Sequence, residues 1–226
     1  MTIWIASDWH LAPQTPVASR GLARAFLARA REAGVRVVLN GDVFDVLFSG
    51  EGRAEAAHPE VVRAIAALSA EGRLERTAGN HDPDAGPEQL VLDVPAIGRV
   101  LVAHGHAADP VSRSPIGRLG DDISRRFGRL TLVRGAARAV EALARAVAEE
   151  RMLAVFRRRC LALVASEECA LGVFGHVHVP HLRPGDAYAN AGGLTPAALS
   201  YLVLGEEGGA RLARLDAKEA ARILSG

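Results

Sequence analysis

Apolar residues in this chain fall into short continuous runs and longer periodic ones, and the two kinds alternate. Residues 2–7, TIWIAS, are apolar on both faces and end in a polar cluster. That pattern predicts a strand covered on both sides of its sheet. Residues 17–33 place Leu22, Ala25, Phe26 and Ala30 at helical spacing, and Gly34 stops the run. VRVVLNGD, residues 35–42, is a second buried strand running into a polar tip. Residues 59–71 predict a helix with Pro59 in its first turn. RLERTAGN (73–80), RVLVAHGH (99–106) and ALGVFGHVH (170–178) predict a third, fourth and fifth strand. DAYANAGG predicts another, and SYLVLGEE with GARLARLD predicts a hairpin through Gly208 and Gly209.

Strands alternating with helices predict an α/β architecture. The five strands run into Asp, Asn or His at their carboxyl ends. Ligands of open α/β sheets bind beyond those ends, so the polar tips are expected to converge on one site. Residues 107–169 differ: they carry no strand signal and a long Ala/Leu/Arg pattern. They predict a helical insertion between the fourth and fifth strands of a single domain, residues 1–226.

Composition narrows the classes of function. At 226 residues, 49% hydrophobic and 23% charged, the chain is long enough for one domain with a full core. The formal net charge of +1 gives no global attraction to nucleic acid or membrane. With aromatics at 4%, a stacking platform is missing and no nucleic-acid polymer is expected as partner. The start, MTIWIASDWHL, carries no secretory signal, and no run of about 18 apolar residues predicts a membrane span, so a cytoplasmic protein is expected. Cys160 and Cys169 match no zinc or redox spacing and are expected to be reduced thiols.

The strand ends supply Asp8 and His10, Asp42 and Asp45, Asn80 and His81, His104, and His176 and His178. Asp8/His10 and His176/His178 are i, i+2 pairs, which on an extended segment point to one face. Imidazole and carboxylate together suit divalent transition metals. No closed cysteine set is available for a structural zinc. A carboxylate shared by two ions would hold them about 3.5–4 Å apart, the spacing of two-metal phosphoester hydrolysis. Each fragment is weak alone: a lone DxH is usually not a ligand pair, and GDxxD is usually a capped turn. Their occurrence together, in series at the ends of buried strands, is what points to a metal site.

The motifs SDWH, GDVFD, GNHD, AHGH and FGHVH, with NAGG following, span residues 7–193 and resemble those of the calcineurin-like metallophosphoesterase family. The resemblance implies a four-layer α/β/β/α sandwich with two divalent metals at the strand ends. It implies that Asp8, His10, Asp42 and His178 hold the first metal, and that Asp42 bridges to the second. Asn80, His104 and His176 would complete the second. His81 would donate a proton to the leaving group or stabilise charge beside the phosphate, with Asp45 orienting it. Manganese is the expected metal, with iron and zinc as the alternatives. Many relatives read His-Gly-Asp where this chain has His104-Gly105-His106, and His106 is expected behind the ligands or at the surface. His58 and His181 match no motif and are expected at the surface.

Within the family, GDVFDVLFSG and the position and size of the insertion resemble the UDP-2,3-diacylglucosamine hydrolases of lipid A synthesis, where the insertion is a lid. By that resemblance Leu130, Leu132, Val133, Val140 and Leu143 would offer apolar rows to acyl chains. Arg125, Arg126, Arg157, Arg158 and Arg159 would face phosphates or the anionic inner membrane surface. Residues 112–159 hold twelve arginines against five acids, but Lys218 is the only lysine, so arginine enrichment is a property of the whole chain. His81 argues the other way, because those hydrolases commonly carry Arg there. A histidine suits the poor leaving group of a phosphomonoester or phosphodiester. Three readings stand: a lid-bearing pyrophosphate hydrolase on a lipid-linked nucleotide, a phosphodiesterase or phosphatase on nucleotides or small metabolites, and a non-catalytic scaffold.

Overall fold

A computed structural model describes residues 2–109, 151–206 and 209–225 of the chain. Two sheets form the body. The first has the order β3-β2-β1-β8-β9, from β1 (Ile3–Ala6), β2 (Arg36–Asn40), β3 (Leu74–Thr77), β8 (Ala198–Glu206) and β9 (Gly209–Asp216). The second has the order β4-β5-β6-β7, from β4 (Gln89–Val94), β5 (Gly98–Ala103), β6 (Leu171–Phe174) and β7 (Tyr188–Asn190). β1, β2 and β3 are parallel, as are β5, β6 and β7; β8 and β4 join their sheets antiparallel.

Strands apolar on both faces build layers on both sides. Trp4 and Ala6 of β1 face a core shared with α1 (Val17–Glu32), α4 (Pro59–Ala70) and α6 (Ala217–Ser225), while Ile3 and Ile5 face the second sheet. Val37 and Leu39 of β2 join the helical core, and Val38 joins the core between sheets. In the second sheet Val100, Val102 and Val173 point inward, while Leu101, Ala103 and Phe174 point outward to α5, which runs through 151–166. The period of two thus produces the predicted order helix, sheet, sheet, helix.

The centre of the helical core is aromatic. Phe26 is fully buried and its ring lies edge-on to Trp9 and Tyr201, at 5.8 and 5.1 Å between centroids. Asn40 is a buried polar group at the end of β2, facing the second sheet. Its amide donates to the Ala103 and Val173 carbonyls at 3.0 and 3.3 Å, and its Oδ1 accepts from Thr77 Oγ1 at 2.8 Å. A satisfied amide there fixes the tip of β2 against β5 and β6 of the second sheet.

Four elements lay outside the sequence expectations: β4, α6, and the short helices α2 (Val46–Ser49) and α3 (Arg53–Ala56). His58 corrects one expectation. It is 3% exposed, not superficial, and its Nε2–H donates to the Ala12 carbonyl at 2.8 Å. It precedes α4, and that helix packs on α1, which turns the ring inward. The two cysteines are free, Cys160 on the buried face of α5 against the second sheet and Cys169 half-buried. The proposed apolar rows at Leu130, Leu132, Val133, Val140 and Leu143, together with Gly208 of the hairpin turn, lie outside the described residues.

Candidate metal centre

The loops after β1 and β2 are laced together by their backbones. Asp8 N donates to the Gly41 carbonyl at 3.2 Å, while Trp9 and His10 amides both donate to the Asp42 carbonyl at 2.9 Å. Trp9 turns its side chain into the helical core and is 3% exposed, leaving Asp8 and His10 directed to the strand ends. From the second sheet, the loop after β6 brings His176 and His178, and the end of β5 brings His104.

The i, i+2 pairs reach one volume by a different route from the one expected. The backbones are not extended. Asp8, His10, Asp42, His176 and His178 have φ of 57°, 45°, 55°, 68° and 56°, five of the six non-glycine residues in left-handed conformation among the described residues. Such conformations cost about 1–3 kcal/mol each and persist where surrounding structure over-determines them. Glycines make the remaining room. A Cβ on Gly79 would lie 2.2 Å from Asp42 Oδ1, and one on Gly175 would lie 2.5 Å from Asp8 Oδ2.

Asp8, His10 and His178 place ligand atoms within 4.8 Å of one another; so do His10, Asp42 and His81, and Asp8, Asp42 and His104. His178 Nε2 is 3.3 Å from Asp8 Oδ1, and His104 Nε2 is 3.2 Å from Asp42 Oδ2. His10 and His178 stack at 8° with their Nε2 atoms 3.1 Å apart. His176 Nδ1 faces Asn80 Oδ1 at 3.1 Å. His104 Nδ1–H donates to the Asn40 carbonyl at 3.0 Å, which turns the buried Nε2 toward the carboxylates of Asp42 and Asp8. Carboxylate oxygens, an amide oxygen and ring nitrogens converge here at these distances, a donor set that fits divalent transition metals.

The charges agree with that fit. Burial, then the neighbouring His81, holds His10 well below its ordinary pKa, in the neutral form that ligates. Burial works to raise Asp42, but His104 and His81 beside it prevail and hold it well below the usual carboxylate range. Burial likewise opposes charge on His104, yet Asp42 and Asp8 bring its pKa up to about 10. Without a cation, this carboxylate pair therefore draws positive charge onto the nearest imidazole.

His81 stands at the rim. Its Nδ1–H donates to Asp45 Oδ1 at 3.0 Å, and its ring meets His10 edge-on at 4.6 Å. Its amide donates to Asp42 Oδ1 at 2.8 Å. Asp45 also caps α2 by accepting from the Phe48 amide at 3.3 Å.

Asp82, quoted in GNHD but given no role from sequence, is structurally central. Its carboxylate accepts from the amides of Asp42, Val43 and Phe44 at 2.7, 2.9 and 3.3 Å, and from Arg76 at 3.0 Å. It shapes the loop that presents Asp42. Asp109, at the root of the insertion, also carried no sequence signal beyond being an acid soon after AHGH. Its Oδ2 accepts from His176 Nε2 at 2.9 Å.

The remaining predicted residues lie away from the cluster. Arg157 pairs with Asp186 and lies over the Tyr188 ring at 5.6 Å. Arg158 is exposed, and Arg159 donates to the Ala108 carbonyl at 3.3 Å. His181 is half-buried, donating from Nε2 to Asp186 at 3.0 Å. His106 sits behind His104, 5.7 Å between ring centroids, and burial lowers its pKa to about 4. Arg125 and Arg126 lie outside the described residues.

Comparison with known proteins accords with this geometry. The family model of the calcineurin-like phosphoesterases matches residues 1–180. UDP-2,3-diacylglucosamine hydrolases of Bordetella parapertussis and Bordetella bronchiseptica are 31% identical over 118 residues, 46% of this chain and 45% of theirs. The match thus spans about half the length of those relatives. The structure of Vacuolar Protein Sorting 29 from Cryptosporidium parvum is similar at a TM-score of 0.50 and 14% identity, covering 95% of this chain and 97% of that one, a likeness of fold alone. The chain belongs to the calcineurin-like phosphoesterase family.

Proposed function

We propose, from that membership, that this chain is a two-metal phosphoester hydrolase. The observation that carries the reading is the convergence of carboxylate, amide and imidazole donors at the strand ends, with His10 Nε2 and His178 Nε2 3.1 Å apart and Asp8, Asp42 and His104 beside them. Asp8, His10, Asp42 and His178 hold one divalent ion, and Asn80, His104 and His176 hold a second, with Asp42 shared. Manganese is the metal we favour, with iron and zinc as alternatives. Two bound cations would neutralise phosphoryl charge and lower the pKa of a bound water toward neutrality.

The chain's own residues do the rest. Asp42 is anchored on three sides: its amide to Asp82, its Oδ1 to the His81 amide, and its carbonyl to the β1 loop. It is thereby preorganised. His81, with Nδ1–H given to Asp45, offers its other ring nitrogen to the leaving oxygen as general acid. Asp45 stabilises the protonated ring from which that proton leaves.

For the substrate we favour the pyrophosphate of a lipid-linked nucleotide of the UDP-2,3-diacylglucosamine type, cleaved at the cytoplasmic surface of the inner membrane under the insertion. The named relatives and the segment GDVFDVLFSG support this. A second reading is a phosphodiesterase or phosphatase on nucleotides or small phosphorylated metabolites. The His81–Asp45 pair favours it, because an alkoxide leaving group needs a proton more than a phosphate monoester does. Turnover of bis-p-nitrophenyl phosphate by chelator-stripped protein, with and without manganese, tests the reaction class. No turnover with any divalent metal would revive the scaffold reading. Parallel assays on UDP-2,3-diacylglucosamine and on soluble diesters separate the two substrates.

A further inference from the structure

His176 is gripped at both ring nitrogens. Nδ1 faces Asn80 Oδ1 at 3.1 Å, and Nε2 faces Asp109 Oδ2 at 2.9 Å. Its amide donates to both oxygens of Asp8 at 3.0 Å, which fixes the backbone from which the ring projects. The ring lies between His104, edge-on at 5.4 Å, and Phe156, tilted at 5.9 Å. Two of these neighbours come from the insertion. Asp109 follows the 3-10 turn His106–Ala108 at its start, and Phe156 comes from the helix through 151–166 at its return. Arg159 of that helix ties the two ends together by donating to the Ala108 carbonyl.

A carboxylate only accepts, so the proton of a neutral His176 sits on Nε2 and its lone pair on Nδ1. The lone pair then faces another acceptor, the Asn80 oxygen, across a gap suited to a cation. A carboxylate behind a ligating imidazole sets the tautomer, locks the ring plane and raises ligand basicity.

We propose that Asp109 is a positioning residue for the second metal: it holds His176 in the Nε2–H tautomer and thereby couples the root of the insertion to that metal's affinity. This rests on His176 being a ligand, as proposed above. Asp109 does not touch the ion itself. It acts through the ring.

The test is a manganese titration of the full chain after chelator treatment, by calorimetry, for wild type, Asp109→Ala, Asp109→Asn and His176→Ala. Wild type is expected to take two ions. Asp109→Ala should weaken one of them by about 10- to 100-fold and leave the other within about twofold. Asp109→Asn keeps an acceptor without its charge, so its loss should be smaller than that of the alanine variant. His176→Ala should lose the same ion. Melting of the metal-free variants supplies the control, and equal Tm values with unequal affinities support positioning. Wild-type affinities in both Asp109 variants, with one ion lost in His176→Ala, would overturn the role of Asp109 and leave the metal reading standing. A lowered metal-free Tm with unchanged affinities would also overturn it, as a structural role only. Two ions bound normally by His176→Ala would instead overturn the ligand assignment beneath it.

Discussion

Asp8, His10 and Asp42 are held by the sandwich itself, whereas His176 leans on the insertion. The first group sits on loops that hydrogen-bond to each other, with Trp9 buried between the ligands and Asp82 receiving three amides behind Asp42. His176 takes its amide anchor from Asp8, but its ring rests against Asp109 and Phe156. One side is positioned by backbone and core, the other by side chains of a segment that is additional to the two sheets. The site can therefore be tuned from two places. Changes in the insertion should reach the second ion first, and changes in the sandwich should reach both.

Asp42, held by the sandwich, is the ligand proposed to serve both ions, so it offers the largest effect. Asp42→Ala should lower manganese-supported turnover of bis-p-nitrophenyl phosphate by about 1,000-fold or more, since metal charge stabilisation supplies several kcal/mol. Retention of more than a tenth of the activity would break the idea of a shared ligand.

His81 is next. His81→Ala should slow hydrolysis of an alkyl phosphodiester by about 100-fold, in the range of general acid catalysis. The loss should be smaller on the p-nitrophenyl ester, whose leaving group needs no proton. Equal losses on the two substrates would remove the acid role.

Asp82 sharpens the sandwich side. Asp82→Ala leaves three buried amides unpaired and should cost about 2–4 kcal/mol in urea unfolding. The same variant should weaken both ions, unlike Asp109→Ala.

The smallest effect lies on the insertion side. Burial acts to raise the pKa of Asp186, but hydrogen bonds from Arg157, His181 and the Tyr188 amide outweigh it and bring it down to about 2. A depressed carboxylate adds stability above its ordinary pKa and loses it as pH falls through the folded value. The wild-type Tm should therefore decline between about pH 4 and pH 2, and Asp186→Asn should flatten that decline. An unchanged slope would mean that this contact does not help hold α5 on the second sheet.

Much of the site was legible because its chemistry is written at the ends of apolar runs. Asp8, Asp42, His104 and His176 each follow a strand whose burial needs only local pattern to recognise, and Asp45 could be matched to His81 by resemblance. β4 escaped because LVLDV is short, lies next to β5 and is apolar at consecutive positions, so the alternation of its burial, with Val91 and Asp93 exposed and Leu92 and Val94 buried, does not show in the residue types. α6 escaped because it is only nine residues long, follows directly on β9 and buries a single small residue, Ala220, so its role depends on its partner α1. His58 escaped because its burial depends on a carbonyl 46 positions away.

The sequence alone determined the layers and the donor types: strands apolar on both faces must be covered twice, and carboxylates beside imidazoles at their ends can serve few purposes but a metal. Tertiary structure decided how those donors meet. The left-handed turns at Asp8, His10, Asp42, His176 and His178 are costly in isolation and exist because two sheets, laced loops and close glycines leave no other path. It also decided the supports, Asp82 and Asp109, because a carboxylate's role depends on which distant donors surround it, and no local pattern along a chain records that.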